Sequence, residues 1–119
     1  MRKKILILDD DESILMISRY ILEEHGWEVA TSTDCINIIE KVTSINPDII
    51  LIDNQIPDTG GIFATQLLKQ DNDLKQIPVI LFSAHFDIEK MAKVAGANFF
   101  LSKPLDLQEF EEALLRMSQ

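Results

Sequence analysis

The sequence predicts an α/β fold: a doubly wound, five-stranded parallel sheet with helices on both faces. Three observations predict it. Short apolar runs of strand length alternate with segments of helical spacing along the whole chain. Three of those runs are apolar on successive residues, as strands covered on both faces must be. The chain has 119 residues, 46% of them hydrophobic, which suits one compact core. Regular βαβ alternation implies parallel strands joined by right-handed crossovers, which removes most competing topologies. A single domain over residues 1–119 is expected.

Each element has its own signal. The first strand is Ile5 to Leu8, and Ile14, Ile17, Ile21 and Leu22 mark the helix after it. Asp11 and Glu12 are placed to cap that helix and match its dipole, and Gly26, beside His25, ends it. Glu28 to Thr31 reads as the second strand. Thr33 or Asp34 can cap the helix of Ile38, Ile39, Val42 and Ile45, which Asn46-Pro47 terminates. After the third strand, Ile49 to Ile52, the stretch "IDNQIPDTGG" makes a tight loop. In it Pro57 fixes a turn, and Gly60 or Gly61, with Gly61 favoured by position, takes a left-handed conformation. Ile62, Phe63, Leu67 and Leu68 carry a weaker helical pattern before the polar loop Asp71 to Lys75. Val79 to Phe82 and Phe99 to Leu101 are the last two strands. Asp87 and Asp106 open the last two helices, the final one built on Phe110, Leu114 and Met117. The first, third and fourth strands belong at the centre of the sheet.

Composition excludes some functions. A formal net charge of −9 argues against direct nucleic-acid binding, which depends on clustered Lys and Arg. No apolar run approaches the roughly 20 residues of a membrane helix, so a cytoplasmic protein without membrane contact is expected. The single cysteine, Cys35, cannot form an internal disulfide and reads as a small buried hydrophobe.

The strand ends carry the chemistry. In doubly wound sheets the ligand crevice lies beyond the carboxyl ends of the strands. Here the first strand ends in Asp9-Asp10, the third in Asp53, the fourth in Ser83-Ala84 and the fifth in Ser102-Lys103-Pro104. Two carboxylates about 4 Å apart repel by roughly 4 kcal/mol at an effective dielectric near 20, so something positive must offset them. Hard oxygen ligands with room between them suit Mg²⁺, which takes one or two carboxylates together with water and phosphate oxygens. Lys103 supplies a second, compact cation, and Ser83 a hydrogen-bond donor.

At these positions the whole chain resembles the receiver domain of two-component response regulators. The resemblance rests on "LDDDES", "IDNQIPDTGG", "LFSAH" and "FFLSKP", in the family's order and approximate spacing. It implies the strand order 2-1-3-4-5 and a phosphoacceptor role for Asp53, which would take a phosphoryl group from a phosphohistidine on a histidine kinase or histidine phosphotransferase. It implies Mg²⁺ held directly by Asp10, Asp53 and the backbone carbonyl of Gln55, with Asp9 acting through coordinated water. Ser83 and Lys103 match the family's hydroxyl and lysine, and Lys103-Pro104 its cis peptide. The acyl phosphate would draw Ser83 inward and let the switch aromatic, here Phe100, move, remodelling a protein-binding face. Phe100 lacks the hydroxyl of the Tyr often found there. Gln55 and His85 match positions that tune phosphoryl lifetime in the family, and the role of His85 stays open. A downstream protein or attached output domain, and a monomer or phosphorylation-dependent dimer, are implied partners and states. The chain would be a signalling phosphoprotein, with only self-catalysed transfer and slow autodephosphorylation.

Three rival readings share parts of this pattern. A degenerate receiver that only binds partners would have lost the acceptor, an acidic residue or the lysine, and none is lost. A Mg²⁺-dependent aspartyl-phosphate phosphohydrolase tends to place its nucleophile after the first strand in an Asp-x-Asp arrangement and needs a cap. A flavodoxin-type protein needs a hydroxyl- and Gly-rich phosphate loop where this chain has acids.

Overall fold

The computed structural model describes residues 3–56 and 60–117. The expected turn at Pro57 lies outside the described residues. Strands and helices alternate: β1 (Lys4–Leu8), α1 (Glu12–Glu24), β2 (Glu28–Ser32), α2 (Ile38–Ile45), β3 (Ile49–Asp53), α3 (Gly61–Gln70), β4 (Val79–Ser83), α4 (Ile88–Ala95), β5 (Phe99–Ser102) and α5 (Leu107–Met117). The sheet order is β2-β1-β3-β4-β5, all pairs parallel, so β1, β3 and β4 lie inside it as their unbroken apolar runs require.

Alternation along each strand splits the core in two. Leu6, Leu8, Ile50, Ile52, Val79 and Leu81 pack with Ile38, Val42, Ala64, Leu68, Ile88 and Ala92, so α2, α3 and α4 cover one face. Ile5, Ile7, Ile49, Leu51, Ile80 and Phe82 pack with Leu15, Leu22, Phe110 and Ala113, so α1 and α5 cover the other. Trp27 meets Phe110 edge-on at 5.6 Å, just before β2 and at the opposite end of the sheet from the strand-end acids. Cys35 is buried in the α2–α3–α4 core, and burial pushes its thiol up to about 12, where it is inert.

Helix ends follow the sequence in part. Asp11 caps α1 by accepting from the N–H groups of Ser13 and Ile14, His25 is its C-cap, and Asp106 accepts from Glu109 N–H in the first turn of α5. The expected cap of α2 at Thr33 or Asp34 is not there. Asn37, in a left-handed conformation, precedes the helix, while Asp34 turns its carboxylate to Ile36 N–H and Lys41 Nζ, the better partners for a charge. Asp87 stands at the N-cap of α4 without a side-chain cap bond.

The two adjacent glycines divide their roles differently from expectation. Gly60, not Gly61, has the positive φ, at 78°. Gly61 starts α3 against the strand that ends in Asp53: a Cβ there would fall 2.7 Å from Asn54 Cα and inside contact distance of the Asp53 carbonyl oxygen. Close approach, not backbone handedness, is what requires glycine at 61.

Candidate functional site

Register brings the acids together. β1 pairs with β3 from Ile5–Ile49 to Leu8–Ile52, so one further residue sets Asp9 beside Asp53. Both continue the parity of the α1/α5 face, as does Lys103 beyond Phe99 and Leu101. Asp9, Asp10 and Asp53 each offer a carboxylate oxygen within 4.8 Å of the others. Asp9 is fully buried, Asp53 is 4% exposed, and Asp10 is open to solvent. Lys103 Nζ stands between the buried pair, 2.7 Å from Asp9 Oδ2 and 3.3 Å from Asp53 Oδ2. The Lys103–Pro104 peptide is cis.

The charges shift one another. Burial raises the Asp53 carboxyl above the ordinary carboxylate range and Asp9 adds to the rise, against the opposing pull of the Gln55 N–H and of Lys103. Burial alone would lower the Lys103 amine, but the two carboxylates outweigh it and hold the amine above its usual value. Gln55 N–H donates to Asp53 Oδ1 at 3.2 Å, and Asp11 N–H to Asp9 Oδ1 at 2.9 Å, which fixes both carboxylates. Asp9 Oδ2 is buried and faces the Lys103 ammonium at 2.7 Å, with no further donor to it among the described residues. An anionic oxygen with an open acceptor direction, beside two further hard oxygen donors, fits a divalent ion of the Mg²⁺ class.

Ser83 ends β4 on the parity of the α2–α3–α4 face and is buried. Its Oγ accepts from His85 N–H at 2.9 Å, which leaves the hydroxyl proton available to donate. His85 Nδ1 accepts from Asp87 N–H at 3.0 Å and its ring stacks on the exposed Phe86, so the ring forms part of the turn into α4. Phe100 does not join the acids. It is half-buried on the edge strand against the α2–α3–α4 core, with its ring centroid 5.4 Å from that of Phe99. Two side chains not anticipated from the sequence also shape the rim. Lys41 Nζ donates to Ser32 Oγ, Asp34 Oδ1 and Asp34 O, pinning the β2–α2 loop, and Asn54 Nδ2 reaches Met91. Strand parity, which points Asn54 away from Asp53, was the one signal for the latter.

The model of the response regulator receiver domain matches residues 5–115. The chain belongs to this family. It is 29% identical over 116 residues to the polar-differentiation response regulator DivK of Brucella ovis, covering 96% of this chain and 94% of DivK. It is 33% identical over 107 residues, or 87% of its length, to part of the CAI-1 autoinducer sensor kinase/phosphatase CqsS of Vibrio cholerae. That match spans only 16% of CqsS. Among solved structures, the receiver domain of sensor histidine kinase PA1611 from Pseudomonas aeruginosa shares the fold. Its TM-score is 0.86 at 24% identity, all of both chains is covered, and it has a magnesium ion coordinated in its active site cleft. This receiver domain is therefore a signalling module of two-component systems with a phosphoacceptor role in a phosphorelay. Among the described residues, no helix is long and apolar enough to cross a membrane.

Proposed function

We propose that residues 1–119 form one receiver domain in which Asp53 is the phosphoacceptor and takes its phosphoryl group from a phosphohistidine of a histidine kinase or histidine phosphotransferase. One observation carries this reading: Asp53 is a buried carboxylate beside two further acids and 3.3 Å from an ammonium group. An ionised Asp53 oxygen attacks phosphorus, the new O–P bond forms as the N–P bond breaks, and the bonding pair leaves on the imidazole nitrogen. The transfer needs little covalent help and much positioning. Lys103 neutralises charge on the phosphoryl oxygens and Ser83 donates its hydroxyl proton to one of them. The Asp11 and Gln55 N–H groups hold Asp9 and Asp53 in place. Asp10, Asp53 and the Gln55 carbonyl would hold Mg²⁺ directly and Asp9 through water. When bound, the ion supplies charge neutralisation across the acids and the phosphoryl oxygens.

The acyl phosphate carries close to two negative charges in place of the carboxylate's one, which draws Ser83 and its turn toward it. Phe100 moves into the space released and changes a face read by a downstream protein or an attached output domain. The domain works as a monomer or a phosphorylation-dependent dimer in the cytoplasm, away from nucleic acid. Its own catalysis is confined to phosphoryl uptake and slow loss. Incubation with Mg²⁺ and acetyl phosphate should add about 80 Da, the mass of one phosphoryl group, by intact-mass spectrometry. Asp53→Asn should add none. No uptake by the unaltered protein would instead favour an interaction module that is never phosphorylated.

A further inference from the structure

Asn54 follows the acceptor and continues the parity of Ile50 and Ile52, so it projects toward the α2–α3–α4 face while Asp53 projects to the other. Its Nδ2 donates to Met91 Sδ, on α4, at 3.0 Å. Its Oδ1 is buried without a hydrogen-bond partner among the described residues. A thioether is a weak acceptor, and a buried amide oxygen with no donor is a cost carried by this packing.

A second set of bonds reaches the same residue from the other side of the site. His85 N–H donates to Ser83 Oγ, Asp87 N–H to His85 Nδ1, and Met91 N–H to Asp87 O. Met91 is thus tied both to the hydroxyl that meets the phosphoryl group and to the residue next to the acceptor.

We propose that Asn54 is a positioning residue that couples phosphorylation of Asp53 to the seating of α4, through its amide contact with Met91. The inference rests on the reading of Asp53 as the phosphoacceptor. When Ser83 turns toward the phosphoryl group, the turn of His85 and Asp87 is pulled and α4 shifts. The Asn54–Met91 contact then opens, and the unpartnered oxygen gains water. The resting seat is held by a weak bond and taxed by an unmet acceptor, so it is poised to release. By linkage, while the resting seat dominates, a change in the balance between the two seats appears as a matching change in affinity for a phosphoryl mimic.

Two variants push that balance in opposite directions. Asn54→Leu replaces the weak bond and the unmet acceptor with apolar packing on Met91, which favours the resting seat. Met91→Leu removes the sulfur and leaves the amide donor unmet as well, which disfavours it. The test is calorimetric titration of the full chain with beryllofluoride in saturating Mg²⁺, with thermal unfolding of each ligand-free variant alongside. Asn54→Leu should bind about fivefold more weakly than the unaltered protein, and Met91→Leu about threefold more tightly. Affinities within twofold of the unaltered protein, whatever the melting temperatures do, would show a merely structural contact and overturn the inference, as would shifts of the same sign. Failure of the unaltered protein to bind beryllofluoride at all would instead overturn the phosphoacceptor reading, and this inference with it.

Discussion

Replacing Asp53 by Asn should make the metal-free protein more stable, and the structure gives the size. At an effective dielectric near 20, the carboxylate gains about 5 kcal/mol from Lys103 at 3.3 Å. It loses at least about 3.5 kcal/mol to Asp9, whose oxygen lies within 4.8 Å, while Asp10 is exposed and screened by water, so attraction leads by only about 1.5 kcal/mol and the desolvation of a buried carboxylate outweighs it. The Asp53 carboxyl is raised, chiefly by that burial and secondarily by Asp9. A carboxyl whose folded value lies above its unfolded one stabilises the fold in its protonated form. That contribution is complete below the ordinary value near 3.8 and is lost as pH climbs through the raised folded value. Asn is neutral throughout and still accepts the Gln55 N–H. In EDTA at pH 7.5, Asp53→Asn should therefore melt a few degrees higher by differential scanning calorimetry. The gap should close as pH is lowered through the Asp53 titration. Mg²⁺ at tenfold its dissociation constant should then raise the unaltered protein by about 1.4 kcal/mol and the variant by much less. An unchanged or lower melting temperature for the variant in EDTA would refute the claim that the fold sustains Asp53 against the cost of burial beside Asp9.

Other perturbations test separate parts of the structure. Lys103→Met leaves two buried carboxylates without their cation and should cost about 3 kcal/mol in urea unfolding at pH 7.5. Because the amine is held above its usual value, the loss should be largest below pH 10.5 and fade above it. Gly61→Ala forces a Cβ against the Asn54 and Asp53 backbone and should cost at least about 2 kcal/mol, with acetyl-phosphate uptake slowed in the same preparation. Phe110→Ala empties a fully buried site under Trp27 and should cost about 3–5 kcal/mol, measured by denaturant unfolding, with Mg²⁺ affinity unchanged.

Much of this is legible in the sequence. The unbroken apolar runs at Ile5, Ile49 and Val79 located the three inner strands, and Asp9, Asp10, Asp53, Ser83 and Lys103 stand out as polar residues at or just past the carboxyl ends of apolar runs. What was misplaced was local backbone geometry. The α2 cap fell at Asn37 because Asp34 has a stronger partner in Lys41, a contact seven residues away that no cap rule contains. The two glycines were exchanged because a need for close approach is invisible without the strand it approaches.

Hydrophobic periodicity is a property of the chain alone, so it fixes which residues end the strands and therefore which charges share one edge of the sheet. Periodicity does not reveal that Lys103 stands between Asp9 and Asp53, that Ser83 is tied to the turn into α4, or that Asn54 touches Met91. Those contacts depend on strand order and register, which are set by packing between segments distant in sequence.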